Sequence, residues 1–536
     1  MSNLLLELCQ CRLPGNSTTG ARADGQRRGG KADGRDRHNT ENTCKTLNKL
    51  RLVSAIWAIW AFTALTALAA AARPRPNILF ILADDLGPND LACYGRHEHH
   101  TPNLDRLAAE GSRFTCAYVA QPICSPSRAA ILTGKAPARL HLTTYLPGRP
   151  DCPSQKRLHP VIEQQLPLAE KTLAECLRDA GCATACIGKW HLGGAGFLPT
   201  DQGFDLYHPG NAVTKPSSTE GGKGEYDLTA RAMEFMEENK DRSFFLYLAH
   251  NSPHIPFSAK SELVAKNASA FEPVYAALIE TLDDTVGLLL AKLDVLGLRD
   301  RTIVIFTSDH GGLHVPEGPH SRITHNTPFR AGKGYLYEGG LRVPLIVRWP
   351  KHVPANRLVD TPVINTDWLP TLAEIAGARA PRDLDGVSIA PLLLGRGAPK
   401  TRPFYWHFPH YTNQGSQPAG AIRDGDWKLV EHYEDGRVEL FNLAKDISET
   451  TDLSGREPRR AARLKRELAA WRQRVGSQTN APNPNFEPAL HRKLYLDFSP
   501  SLFDPLHADV GAWAHVAEWR KQMDAALRRP TPAPPR

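Results

Sequence analysis

Asn77-Ile-Leu-Phe-Ile-Leu-Ala-Asp-Asp85 runs apolar for six residues and then stops at two adjacent carboxylates. A short, continuously apolar run has no polar face to offer water, so it reads as a strand buried on both sides of a mostly parallel sheet. Thr302-Ile-Val-Ile-Phe-Thr307 repeats the pattern and ends in Ser308-Asp309-His310-Gly-Gly312. Ala183-Thr-Ala-Cys-Ile187 leads into Gly188-Lys189-Trp-His191, and Phe244-Phe-Leu-Tyr-Leu-Ala249 leads into His250-Asn-Ser-Pro-His254. Four such runs each deliver charged or polar groups at the carboxyl end, where open α/β sheets gather their ligands.

Helical patterns at Pro102–Glu110, Leu168–Ala180, Leu228–Asn239 and Val274–Leu296 alternate with these strands. The alternation predicts a doubly wound α/β domain, a large mostly parallel sheet flanked by helices. Paired carboxylates from two strands repel one another unless a cation lies between them. Asp84, Asp85, Asp309 and His310 are therefore candidate metal ligands. Oxygen-rich ligation favours Ca²⁺ or Mg²⁺, and the imidazole also admits Mn²⁺.

The stretch Gln121-Pro-Ile-Cys-Ser-Pro-Ser-Arg-Ala-Ala-Ile-Leu-Thr-Gly-Lys135 supplies the nucleophile. Ser125 reads as the N-cap and Pro126 as the first helical residue, which puts Cys124 where the free N–H groups and the positive helix end point. Arg128, one turn in, faces back toward the same place. The chemistry is that of a nucleophile meeting an anion. Further on, Lys333 sits in the glycine-rich Pro328–Pro344 segment. The His-rich loop 313–327, with His314, and the ring-dense run Trp406-His407-Phe-Pro-His410-Tyr411 are candidate sugar-binding walls.

Cys124-Ser-Pro-Ser-Arg128 followed by Ala129-Ala-Ile-Leu-Thr-Gly134 resembles the signature of the type I, formylglycine-dependent sulfatases, members of the alkaline phosphatase-like superfamily. The landmarks from Asn77 to Leu443 also follow the order of that family. The resemblance implies that Cys124 is oxidised to formylglycine by a maturation enzyme. It further implies that Asp84, Asp85, Asp309 and His310 bind a divalent ion, Ca²⁺ foremost, together with the modified Cys124. Arg128, Lys189, His191, His254 and Lys333 would then surround nucleophile and sulfate. In the implied mechanism one hydroxyl of the formylglycine hydrate attacks sulfur and the other later expels sulfate, with His191 as base and His254 protonating the leaving alcohol. His310 stands where many members carry Asn, which leaves the metal open.

The resulting expectation is an exported sulfuric-ester hydrolase acting on sulfated carbohydrates. The alternatives are a phosphoester or phosphonate-ester hydrolase of the same superfamily, or a sulfated-glycan binding protein if Cys124 stays unmodified. The formal charge of the 536 residues is +8, but residues 1–72 carry ten Lys and Arg against five Asp and Glu. So balanced a body excludes a nucleic-acid partner. Residues 1–44 read as a disordered or misassigned leader. Residues 45–72 read as a signal peptide, with a basic flank, an apolar run from Leu52 to Ala72 and a small-residue end, so the chain would be periplasmic or extracellular and would meet a membrane only through that signal. Residues 73–380 would form the catalytic domain, 381–403 a linker, 404–528 a C-terminal sheet-plus-helix subdomain and 529–536 a disordered tail. Ten cysteines, all before residue 187, permit disulfides without requiring them.

Overall fold

The computed structural model describes residues 75–209, 223–318, 320 and 322–527. The leader at 1–44, the export segment at 45–72 and the tail at 529–536 lie outside them.

Strand β1 (Asn77–Asp84) is buried at all eight positions. Alternation along the strand sends Ile78, Phe80 and Leu82 into one apolar cluster and Leu79, Ile81 and Ala83 into another, so the sheet has a core on each face. In chain order the other strands are β2 (Ser112–Phe114), β3 (Ala117–Tyr118), β4 (Ala183–Gly188), β5 (Leu206–His208), β6 (Phe244–Pro253), β7 (Thr302–Ser308), β8 (Leu345–Arg348), β9 (Arg357–Val359) and β10 (Val363–Ile364). Eight of them form one sheet in the order β5-β4-β6-β1-β7-β8-β2-β9. β1 lies between β6 and β7 and is parallel to both, with Ile78 opposite Phe245 and Ile303.

Helices α1 (Pro102–Ala109), α2 (Cys124–Thr133), α3 (Leu173–Asp179), α4 (Glu225–Glu238), α5 (Pro273–Val295) and α6 (Trp368–Ala376) flank the sheet. α2, α3 and α6 pack on the face that carries Phe80, and α1, α4 and α5 on the face that carries Ile81. α3 begins five residues later than its apolar pattern suggests. Thr172 accepts from the Glu175 N–H at 3.1 Å while Glu175 accepts from the Thr172 N–H at 2.7 Å, a reciprocal cap that fixes the start. β8 runs antiparallel to β7. The loop after β7 stays on the sheet's carboxyl edge, so the next strand has to start there and run back.

A second sheet holds β11 (Phe404–Phe408), β12 (Ala419–Asp424), β13 (Trp427–His432) and β14 (Val438–Asn442), all antiparallel. Its turns use Gly425 and Gly436, whose φ of 59° and 74° suit glycine. α7 (Pro458–Arg474) lays Leu464, Leu468 and Trp471 on Ile422, Leu429 and Leu440. The expected linker at 381–403 is no free tether. Ile389, Leu392 and Leu393 are buried in the same core as β1, and so are Trp406 and Phe408 of β11. Lys428 of β13 is wholly buried between Glu338 and Glu449, at 2.8 Å from each. α8 (Val510–Leu527) closes the chain against Tyr411, Cys152 and Val315. All seven described cysteines are unbridged.

Candidate active site

The sheet's parallel strands end on one edge, and their last residues meet the start of α2 there. Cys124 is the first helical residue, with Ile123 in the cap position. The cap expected of Ser125 is absent, because its hydroxyl instead accepts from the Leu146 N–H at 3.1 Å. Cys124 remains at the positive end of the helix, so its sulfur faces the edge as anticipated. The thiol lies 3.6 Å from Asp84 Oδ1 and 3.2 Å from His310 Nε2. Asp84, Asp85, Cys124 and His254 form one group whose ligand atoms all lie within 4.8 Å of one another, and Asp84, Cys124, Asp309 and His310 form a second. Three carboxylates and an imidazole are a donor set that fits a hard divalent cation.

Two glycines make this convergence feasible. Gly188 has φ of 99°, and a Cβ there would lie 2.0 Å from the Ala249 carbonyl oxygen, so β4 and β6 approach closely just before Lys189. A Cβ on Gly311, after the Asp309-His310 pair, would lie 1.8 Å from the Gly339 oxygen. Asp85 and His191 also take positive φ, 68° and 56°, which turns both side chains off their strand ends.

Basic groups enclose the carboxylates. Arg128 is fully buried and donates through Nε to Asp309 Oδ2 at 3.0 Å, with Nη2 2.9 Å from the same oxygen and Nη1 donating to the Lys189 carbonyl. The Lys189 ammonium contacts Asp84, and Lys333 Nζ donates to Asp85 at 2.8 and 3.0 Å. Burial opposes ionisation of Asp84, and Lys189 foremost, with His254 and Arg128, holds it well below the usual carboxylate range. Asp85 falls to about 2 against its burial, under His254, Lys333 and His310. Burial, however, draws His254 itself down to about 3, so its imidazole is neutral at pH 7 and the lasting counter-charges of Asp85 are Lys333 and His310, whose Nε2 lies 3.1 Å from Asp85 Oδ1. Asp309 moves the other way, to about 7, through burial and the neighbouring charge of Asp84. Its partner His310 rises to about 9, since Asp309, Cys124 and Asp85 outweigh the cost of burial. Cys124 is drawn below the usual thiol range, with Lys189 and Lys333 overcoming burial.

The two further histidines have defined tautomers. His191 donates through Nε2 to the Leu146 carbonyl at 2.9 Å, leaving a buried Nδ1 without a partner among the described residues. His254 donates through Nδ1 to the Ile255 carbonyl at 2.6 Å, and its Nε2 lies 3.7 Å from Asp85. Both line a cavity of about 470 Å³ that opens over Cys124, along with Lys189 and Lys333.

The remaining sequence candidates lie elsewhere. His314 is buried, and its Nε2 bonds the Pro500 carbonyl at 3.1 Å. His407 is held by Tyr433 Oη and the Gln478 carbonyl, both at 2.8 Å. His410 is held by Thr143 at 2.7 Å and His159 at 3.1 Å. None of the three lines the cavity. Both ring nitrogens of His407 and His410 and the Nε2 of His314 are bonded to neighbouring elements, so the sugar-wall expectation for His314, His407 and His410 is corrected. The cavity wall is built from Tyr145, Tyr207, Asn251, Glu317, Asn413 and Gln414, of which Glu317 comes from the expected loop 313–327. Lys223 also lines it and was not anticipated. Its ammonium donates to the carbonyls of His254 at 2.7 Å, Ile255 at 3.1 Å and Asn251 at 3.5 Å. No periodicity surrounds Lys223; only its place just before α4 hinted at order.

Comparison with known proteins now decides the family. The Sulfatase family model matches residues 76–378, more than half of the chain, and the model described as N-sulphoglucosamine sulphohydrolase, C-terminal, matches 331–474. The chain belongs to the sulfatase family. Arylsulfatase A of Homo sapiens is 39% identical over 403 residues, covering 67% of this chain and 75% of that protein. A sulfatase of Formosa agariphila is 31% identical over 500 residues, covering 75% and 89%. The crystal structure of Ps i-CgsB in complex with k-i-k-neocarrahexaose superposes with a TM-score of 0.66 at 29% identity, over 85% of this sulfatase and all of that chain. The protein is thus a sulfuric ester hydrolase, and its large mixed sheet with a small C-terminal antiparallel sheet is the fold of its relatives.

Proposed function

We propose that this sulfatase removes sulfate from a sulfated carbohydrate outside the cytoplasm, reached through the apolar export segment at 45–72. The observation that supports it is the meeting of Cys124 with Asp84, Asp85, Asp309 and His310 beneath a cavity walled by tyrosine, amide and carboxylate side chains. The neocarrahexaose in the similar Ps i-CgsB structure agrees with a carbohydrate substrate.

Asp84, Asp85, Asp309 and His310, with the side chain at 124, would hold a divalent cation, Ca²⁺ foremost, which when bound polarises a sulfuryl oxygen. Conversion of Cys124 to formylglycine would supply an aldehyde whose hydrate carries two hydroxyls. Lys189 and Lys333 hold the sulfuryl oxygens and offset the charge that develops on them. Arg128, locked on Asp309, fixes the carboxylate that faces position 124. His191 takes up a proton at Nδ1, because its Nε2–H is committed to Leu146. His254 presents Nε2 to the leaving alcohol, because its Nδ1–H is committed to Ile255; that nitrogen takes a proton from solvent as the anionic sulfate binds beside it and passes the proton to the alcohol.

The test couples mass spectrometry of the tryptic peptide Phe114–Arg128, from protein made in its own host, to sulfate release from a panel of sulfated oligosaccharides. An aldehyde at position 124 with sulfate release, both lost in Cys124→Ala, is the expected result. Sulfate release by protein whose Cys124 is unmodified, or an aldehyde with no sulfate ester cleaved, defeats the proposal.

A further inference from the structure

The cavity over Cys124 is uneven in charge. The lysines that line it among the described residues are committed: Lys189 and Lys333, beside Asp84 and Asp85, to the sulfate that the reaction removes, and Lys223 to three carbonyls. Glu317 lines the same cavity with the opposite sign. Its carboxylate is fixed, since Gln414 Nε2 donates to Glu317 Oε2 at 2.6 Å and the Gln414 carbonyl is itself held by Tyr335 Oη at 2.8 Å. Among the described residues nothing donates to Glu317 Oε1. Two more polar groups of this cavity are buried without a hydrogen-bond partner among the described residues, Asn413 Oδ1 and Asn251 Nδ2. Leaving such an atom unpaired costs about 1–3 kcal/mol, so a ligand hydroxyl that reached them would gain by pairing with them. The half-buried rings of Tyr145 and Tyr207 add apolar faces on which a sugar ring can lie.

We propose that Glu317 and Asn413 form a subsite for the free hydroxyls of the sugar ring that carries the sulfate, and that Glu317 excludes a second anionic substituent beside the scissile ester. The inference rests on the carbohydrate sulfatase reading above and narrows it to a ring that is otherwise neutral. A fixed carboxylate accepts readily from vicinal hydroxyls. It also repels a neighbouring sulfate or uronic carboxylate, and no described lining cation is left over to pair with one. The ions around Cys124 attract the first sulfate, while Glu317 rejects the second. Such a wall gains specificity from repulsion as much as from attraction.

The experiment compares kcat/KM of the matured enzyme on a monosulfated neutral oligosaccharide and on the same oligosaccharide with a second sulfate or a carboxylate next to the first. An aryl sulfate, which has no sugar hydroxyls, reports the sulfatase chemistry itself. The wild type is expected to prefer the monosulfated ring by about tenfold or more, the discrimination one like charge gives across a partly hydrated pocket. Glu317→Gln, which keeps shape and removes charge, is expected to reduce the preference to below about threefold by raising kcat/KM for the doubly charged substrate. Asn413→Asp adds a second carboxylate and is expected to widen the preference. A preference unchanged in both variants, or a wild type that favours the doubly charged ring, overturns the subsite while leaving the sulfatase reading in place. Cleavage of the aryl ester but of no sugar sulfate overturns it too. Failure on every sulfate ester removes the sulfatase reading, and the subsite with it.

Discussion

Replacing Lys223 with Met is expected to lower turnover sharply in a protein that still folds. The Lys223 ammonium makes two bonds of ordinary length, 2.7 Å to the His254 carbonyl and 3.1 Å to that of Ile255. A charged donor contributes about 1.5–3 kcal/mol per bond, so the pair stabilises the fold by about 3–6 kcal/mol. Against this, burial draws the ammonium from 10.5 down to about 8, with Asp84 only partly compensating. A shift of that size opposes folding by about 3 kcal/mol at neutral pH. The two effects largely offset one another, and Met keeps the length of the side chain, so the unfolding free energy should change by no more than about 3 kcal/mol. The local effect does not cancel. Ile255 O is also the acceptor that orients His254 Nδ1, and without Lys223 both carbonyls are free to turn. A displacement of about 1 Å at a proton-transfer group lowers kcat by about 10²-fold, whereas KM should stay within about threefold because the sulfate is held by other residues.

The assays are steady-state kinetics on an aryl sulfate and urea unfolding across pH. Because the folded-state value lies below the unfolded one, the unfolded chain binds the extra proton between about pH 8 and 10.5. Wild-type stability therefore gains from this group as pH rises through that window, and the Met variant lacks the gain. A variant that keeps kcat within about threefold, or that loses more than about 4 kcal/mol of stability, refutes the reasoning.

Gly311→Ala is expected to destabilise the fold by about 3 kcal/mol and to abolish turnover, because the new Cβ would sit 1.8 Å from the Gly339 oxygen; the denaturation midpoint checks this. Lys428→Met leaves buried Glu449 without its cation and Glu338 paired to Arg342, and should cost about 3–5 kcal/mol. The loss should be larger at pH 8 than at pH 5.5, since burial already holds Glu449 up at about 7 and loss of Lys428 raises it further, so that protonation relieves it; unfolding at the two pH values decides. Chelation followed by dialysis should abolish turnover and lower thermal stability, and Ca²⁺ should restore both. Restoration by Mg²⁺ or Mn²⁺ alone would reject the calcium assignment while keeping the cation.

Much of the frame was legible along the chain because its cause is local. Apolar runs such as Ile78–Ala83 cannot be solvated on either face, so they become central strands, and a parallel arrangement brings their ends to one edge. That topology alone places Asp84, Lys189, His254 and Asp309 near one another, and Cys124 joins them through the helix it begins. The start of α3 was blurred because a reciprocal Thr172–Glu175 cap overrides an apolar pattern that extends to Leu168. The direction of β8 was not legible, since it follows from which edge the long loop after β7 leaves.

Ring density misled at His407 and His410. A histidine in sequence is a polar ring, but burial in a contact between elements consumes both of its nitrogens, as Tyr433, Gln478, Thr143 and His159 do here. The opposite holds for Lys223, Glu317, Asn413 and Gln414. They sit in loops without periodicity and acquire meaning only from what packs beside them. The sequence by itself thus determined the sheet, its polar edge and the residues around the nucleophile, because strand burial and helix polarity act over a few neighbouring residues. Only the tertiary structure decided the wall that faces the rest of the substrate, because that wall is assembled from segments as far apart as Tyr145, Glu317 and Gln414, brought together by packing that no local pattern encodes.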